Sequence, residues 1–229
     1  MKYISTRDNK KTYNFIDTFL NGLAHDGGLY IPRIIPRLSN DTLKKFSKLN
    51  YNNLAYEIIK IYTDNTFSKK ELKKIIKNSY KKFDSKNVVK FSRVKKFNLI
   101  ELYHGPTLAF KDIAMQVIGN MYETILSKNR KKINLVTATS GDTGAAAIDA
   151  VKNKKNLRIF VLHPKGKVSV TQRKLMTTVN SKNVFNIAIK GSFDDCQKLV
   201  KSMFNDRSFR KSINMSGVNS INCARIVIQ

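Results

Sequence analysis

Lys111 lies in HGPTLAFKD (104–112), with Ala109 and Phe110 before it and Ile113, Ala114 and Met115 after it. Desolvation and the dipole of a helix start both disfavour an ammonium there. An amine held in that way is suited to act as a nucleophile or as a Schiff-base lysine. The plainer reading is that its stem covers Phe110 while its head reaches water. In a chain with 43 Lys and Arg residues, local chemistry alone favours the plainer reading.

TSGDTGAAA (139–147) is the second stretch with chemical potential. Gly141 and Gly144 permit tight turns and close approach of a ligand. Thr139, Ser140, Asp142 and Thr143 add polar groups at a helix start, where free amides and the dipole favour an anion. The plain alternative is a turn in which Ser140 or Asp142 caps the helix. The stretch matches neither a P-loop nor GxGxxG. Elsewhere, Asp194 and Asp195 read as caps, with Ser192 as the alternative, and His163-Pro-Lys-Gly reads as a strand-ending turn. Cys196 and Cys223 have no metal-ligand spacing and read as reduced thiols, and the three histidines suggest no zinc site.

Residues 1 to about 90 read as a helical region. Phe15, Phe19 and Leu20 open one helix, and Gly27-Gly28, Pro32 and Pro36 mark a loop. Leu54, Ile58 and Ile61, then Leu72, Ile75, Ile76 and Tyr80, recur at helical spacing, with Asp41 and Ser68 as candidate N-caps. From about residue 94 the texture becomes α/β. FNLIELY, KINLVTAT, LRIFVLHP and VFNIAIK read as strands alternating with helices, the first helix expected over about 107–127. Short apolar strands in that order predict a mostly parallel sheet covered by helices. Ligands in such sheets gather beyond the strands' carboxyl ends, which points to YHGPTLAFK and TATSGDTGAA. The expected organisation is thus a helical region over 1–90 and an α/β domain over 91–229.

The formal charge of +27 admits polyanion binding, but the lysines are spread along the chain and mixed with Asn and Ile. A solvated basic surface is the favoured reading over a specific nucleic-acid groove. No apolar run reaches the roughly 20 residues of a membrane span, and the N-terminus lacks a signal-peptide core, so a cytoplasmic location is expected.

Taken in order, ELYHGPTLAFKDIAMQ, TATSGDTGAAAI, HPKGKVSVTQRKLMTT, GSFDDCQKLVK and NSINCARI resemble the signature blocks of threonine synthase. STRDNK and FIDTFLNGLAHDGGLYIP resemble that family's N-terminal segment. The resemblance implies a fold-type II pyridoxal-phosphate enzyme that converts O-phospho-L-homoserine and water to L-threonine and phosphate. It implies that Lys111 is the catalytic, cofactor-linked lysine. Ser140, Gly141, Asp142, Thr143 and Gly144 would lie around the cofactor ring and the substrate carboxylate. A threonine dehydratase or cysteine synthase type of enzyme, or an inactive basic fragment, are the alternatives. Two departures stand out: Cys223 replaces the family's tryptophan, and family members continue past Gln229 into a cofactor-phosphate loop. A sheet cut partway predicts exposed apolar surface.

Overall fold

The computed structural model describes residues 1–218 and 223–228. They form two compact units, residues 1–117 with 223–228, and residues 118–218. The change of texture near residue 90 falls inside the first unit.

In the first unit, β1 (Tyr3–Ser5) precedes α1 (Phe15–Asn21), and β2 (Tyr30–Pro32) pairs antiparallel with β1. Asn14 caps α1 by accepting from the Asp17 amide. Phe15 stacks on Phe19 at 5.3 Å and meets Tyr3 at 6.5 Å, forming a buried aromatic cluster. Arg225, in the short helical segment Cys223–Ile226, is fully buried and donates through Nε to the Phe19 carbonyl at 3.1 Å. Of the NSINCARI block, residues 219–222 lie outside the described residues.

The lysine-rich middle of this unit folds as α2 (Asn40–Phe46), α3 (Tyr51–Thr63) and α4 (Lys69–Tyr80). Ser39 rather than Asp41 caps α2, because its hydroxyl accepts from the Thr42 amide and leaves Asp41 in the first turn. Ser68 caps α4 in a full capping box with Glu71. The α4 face of Leu72, Ile75, Ile76, Ser79 and Tyr80 is buried, as its spacing predicted. Each such aliphatic side chain contributes roughly 1.5–3 kcal/mol by leaving water.

FNLIELY does form a strand, but it does not join a parallel sheet. β3 (Lys90–Val94) and β4 (Phe97–Glu101) make an antiparallel hairpin of their own. Phe91, Phe97 and Ile100 are largely exposed on it. The turn at Lys95-Lys96 allows this pairing locally, and a short apolar strand read alone does not reveal its partner.

α5 (Lys111–Asn129) runs from the first unit into the second. The second unit alternates β5 (Ile133–Ala138), α6 (Asp142–Val151), β6 (Leu157–Pro164), α7 (Val170–Thr177), β7 (Val184–Ile189), α8 (Phe193–Asn205), α9 (Arg207–Ser212) and β8 (Met215–Gly217). The strands form one parallel sheet in the order β7-β6-β5-β8, with Leu135 opposite Ile159 and Leu162 opposite Ile187. α6 is buried around most of its circumference from Gly144 to Val151, and the small residues Gly144–Ala147 let its backbone approach its neighbours closely. Val136, Leu162, Cys196 and Met215 form a buried cluster with Val200 and Phe204 of α8. Ser192 caps α8 in a capping box with Asp195. Among the described residues no helix is long and apolar enough to cross a membrane.

Candidate active site

The candidate residues are divided between the units: Lys111 belongs to the first, Ser140–Gly144 to the second. Lys111 is the first residue of α5, so the helix begins later than the expected 107. The delay has a local cause. Leu108 adopts φ 60, and residues 105–110 fold as successive turns. Asp112 is fully buried, and its carboxylate reaches back to accept from the Thr107 amide and the Thr107 hydroxyl, each at 2.7 Å. Those two bonds fasten the turn to the helix start, where a negative charge also suits the dipole.

Lys111 itself is half-buried, and its Nζ sits 5.5 Å from the centre of the Phe110 ring. It is the ammonium itself that lies over the ring, where the plain reading placed the stem. The residue is only partly buried and stands at the end of a fixed turn, which is compatible with covalent chemistry at Nζ.

His104 stands at the entrance to the same turn and is 5% exposed. Its Nδ1 lies 2.8 Å from Asp84 Oδ1 and its Nε2 2.9 Å from Glu101 Oε2. Both ring nitrogens can donate together only when the ring carries two protons. The bond from His104, followed by one from Ser92, holds the Glu101 carboxyl below its usual range. This clamp joins the end of β4 to the loop after α4, upstream of Lys111.

In the second unit, Ser140–Gly144 leave the carboxyl end of β5 and enter α6, where sheets of this type place ligands. Neither Ser140 nor Asp142 caps the helix. Gly141 occupies the cap position and makes no side-chain cap bond. Thr139 performs the equivalent task from two residues earlier: its buried hydroxyl accepts from the amides of Gly141 and Gly144, both at 2.9 Å. Among the described residues, none accepts from the amides of Asp142 or Thr143, which stay open at the positive end of the helix.

Both glycines are required. Gly141 has φ 146, and a Cβ there would lie 2.3 Å from Gln172 Oε1. A Cβ on Gly144 would meet Met176 Sδ and Thr139 Cγ2 at 2.6 Å. Gln172 of α7 donates through Nε2 to Asp142 Oδ1 at 2.5 Å, fixing that carboxylate beside the loop. Gln172 acts across a distance that only the fold closes, whereas Asp112 acts on Thr107 five residues before it, through a turn that the expected helix start at 107 overlooked. Cys196 is buried, and burial pushes its thiol up, as expected of an inert packing group.

A family model for the N terminus of threonine synthase matches residues 2–80. The threonine synthase of Pseudomonas aeruginosa is 41% identical over all of this chain and 49% of its own length. That of Saccharomyces cerevisiae is 41% identical over 99% of this chain and 47% of its own. The crystal structure of the pyridoxal-phosphate-bound threonine synthase of Brucella melitensis superposes with TM-score 0.92 and 40% identity, covering 99% of this chain and 49% of that one. The Escherichia coli threonine synthase gives 0.87 at 30% identity, covering all of this chain and 52% of that one.

The fold is that of the type II pyridoxal-phosphate enzymes. Within that class the chain is a threonine-synthase-family sequence, corresponding over its whole length to the N-terminal half of its relatives. The chain spans about half the length of the curated relatives it matches.

Proposed function

We propose that this chain supplies the lysine-bearing half of a threonine synthase, which forms L-threonine and phosphate from O-phospho-L-homoserine and water with pyridoxal phosphate as cofactor. One observation carries the reading. Residues matching the family in order over the whole chain fold with a half-buried lysine at the first position of α5, in a turn fixed by Asp112. Each part fits the group by itself: the half-buried Lys111 offers an amine for its aldehyde, and the glycine-shaped loop after β5 offers open amides for anionic oxygens. When bound, pyridoxal phosphate supplies an electron sink for charge left at the substrate's Cα.

With pyridoxal phosphate bound, Lys111 Nζ would hold the cofactor, and the same nitrogen would take the proton from the substrate's Cα. The amides of Asp142 and Thr143, with the Ser140 and Thr143 hydroxyls, receive the substrate carboxylate. Gln172 holds Asp142 so that its carboxylate does not swing across those amides. Thr139 keeps the loop in the one conformation that presents them.

The test is threonine formation from O-phosphohomoserine by this chain co-expressed with the C-terminal half of the Pseudomonas aeruginosa relative. Activity that disappears in Lys111→Ala supports the proposal. Activity unchanged in Lys111→Ala overturns it, as does a stable, cofactor-loaded assembly that makes no threonine.

A further inference from the structure

The second unit contains a cleft that the proposed function does not use. It opens at the carboxyl ends of β6 and β7, beside α7, with a volume of about 590 Å³. That lies within the range of small-molecule sites, and carboxyl ends of parallel strands are where such sites gather. His163, Lys165, Arg173 and Asn186 line it, with apolar surface from Val170 and Ala188. No acidic residue lines it, so the field inside is positive.

Two of its lining residues carry a buried polar atom without a partner. His163 is 5% exposed, and among the described residues none bonds its Nδ1. Asn186 donates through Nδ2 to the Met176 carbonyl at 3.1 Å, which fixes its amide orientation and leaves Oδ1 buried without a donor. Buried polar atoms in native folds are paired, so each exception calls for an account. Val161 is paired with Asn186 and His163 with Ala188, so the histidine and the asparagine share one face of the sheet. A half-turn of the imidazole about its Cβ–Cγ bond moves Nδ1 to the ring's other edge, a motion that costs no backbone change.

We infer that this cleft binds a small carboxylate that also carries a hydrogen-bond donor, the class to which α-amino and α-hydroxy acids belong. Lys165 and Arg173 face the carboxylate, and Arg173 can engage it in two-pronged fashion. The ligand's ammonium or hydroxyl gives Asn186 Oδ1 the donor it lacks, and His163 joins from the lining. Val170 and Ala188 accept an aliphatic side chain. The site lies within one unit and uses neither Lys111 nor Ser140–Gly144, so its failure and that of the proposed function are separate.

Calorimetric titration of the intact chain, without cofactor, tests this with five probes: L-valine, L-2-hydroxyisovalerate, isovalerate, L-valinamide and inorganic phosphate. L-Valine or the hydroxy acid binds saturably. Isovalerate, lacking the donor, and valinamide, lacking the carboxylate, bind at least about tenfold more weakly. Arg173→Gln with Lys165→Gln weakens the cognate ligand by about tenfold or more. Both side chains are exposed, so the fold is kept, and circular dichroism verifies it. Isovalerate binding as tightly as L-valine overturns the donor requirement and with it the ligand class. Binding of phosphate alone, binding unchanged in the double variant, or no binding at all overturns the site.

Discussion

Thr107 gives Asp112 two hydrogen bonds, from its amide and its hydroxyl, both 2.7 Å long, and so closes the turn that ends at Lys111. Lys111 is thereby held between a fastened turn and the first hydrogen-bonded residues of α5. Asp112→Ala leaves the buried Thr107 amide without its acceptor, at a cost of about 1–3 kcal/mol. Urea denaturation measures that loss. Asp112→Asn keeps one acceptor oxygen and loses less.

Thr139 serves two amides with one hydroxyl, so its removal reaches the whole loop. Thr139→Val keeps the shape and orphans the amides of Gly141 and Gly144, destabilising by about 1–3 kcal/mol. Gly144→Ala places a methyl against Met176 and Thr139 and costs a similar amount through overpacking, about 1–3 kcal/mol. In denaturation experiments both variants lower the midpoint with an unchanged slope.

Acid unfolding carries a signature of the Glu101–His104 contact. Glu101 titrates below its ordinary value when folded, with the His104 bond the largest cause. Its contribution is complete above the unfolded-state pKa and is lost as pH falls through the lower folded-state value. The stability of the native chain therefore falls as pH is lowered through the carboxylate range, and Glu101→Gln makes that fall shallower. Urea midpoints for both proteins between about pH 3 and pH 6 check the slope.

Cys196 is buried and Cys223 is half-buried, and burial pushes both thiols up. Neither behaves as an activated nucleophile. In native buffer a thiol reagent labels Cys196 only as fast as the protein opens, and in denaturant both react at once. Rapid native labelling of Cys196 contradicts the packing described for α8.

The α/β order of the second unit was legible because its strands are short apolar runs separated by capped helices. Ser68 announced itself for the same reason, with Glu71 three residues later completing the box. The β3–β4 hairpin was not legible as such. Its exposed Phe91, Phe97 and Ile100 look like core residues in sequence, and pairing is a long-range property. The candidate site divides along the same line. The glycines and hydroxyls of Ser140–Gly144 show in the sequence, but their cap does not. Ser140 and Asp142 are better cappers by type, yet Thr139, the residue after β5, does the work. Gln172 stayed hidden because its role exists only after Asp142 has been brought to it, and Asp112 because a helix expected from 107 left no room for the turn it closes with Thr107.

The central claim is that Lys111, among 43 Lys and Arg residues, is the one built to hold pyridoxal phosphate. Borohydride reduction of the chain with stoichiometric pyridoxal phosphate, followed by peptide mass spectrometry, compares every lysine in one measurement. The account predicts an adduct concentrated on the peptide carrying Lys111, absent from that site in Lys111→Ala and not taken up elsewhere. Adducts scattered over the exposed lysines, at equal yield in Lys111→Ala, would contradict it.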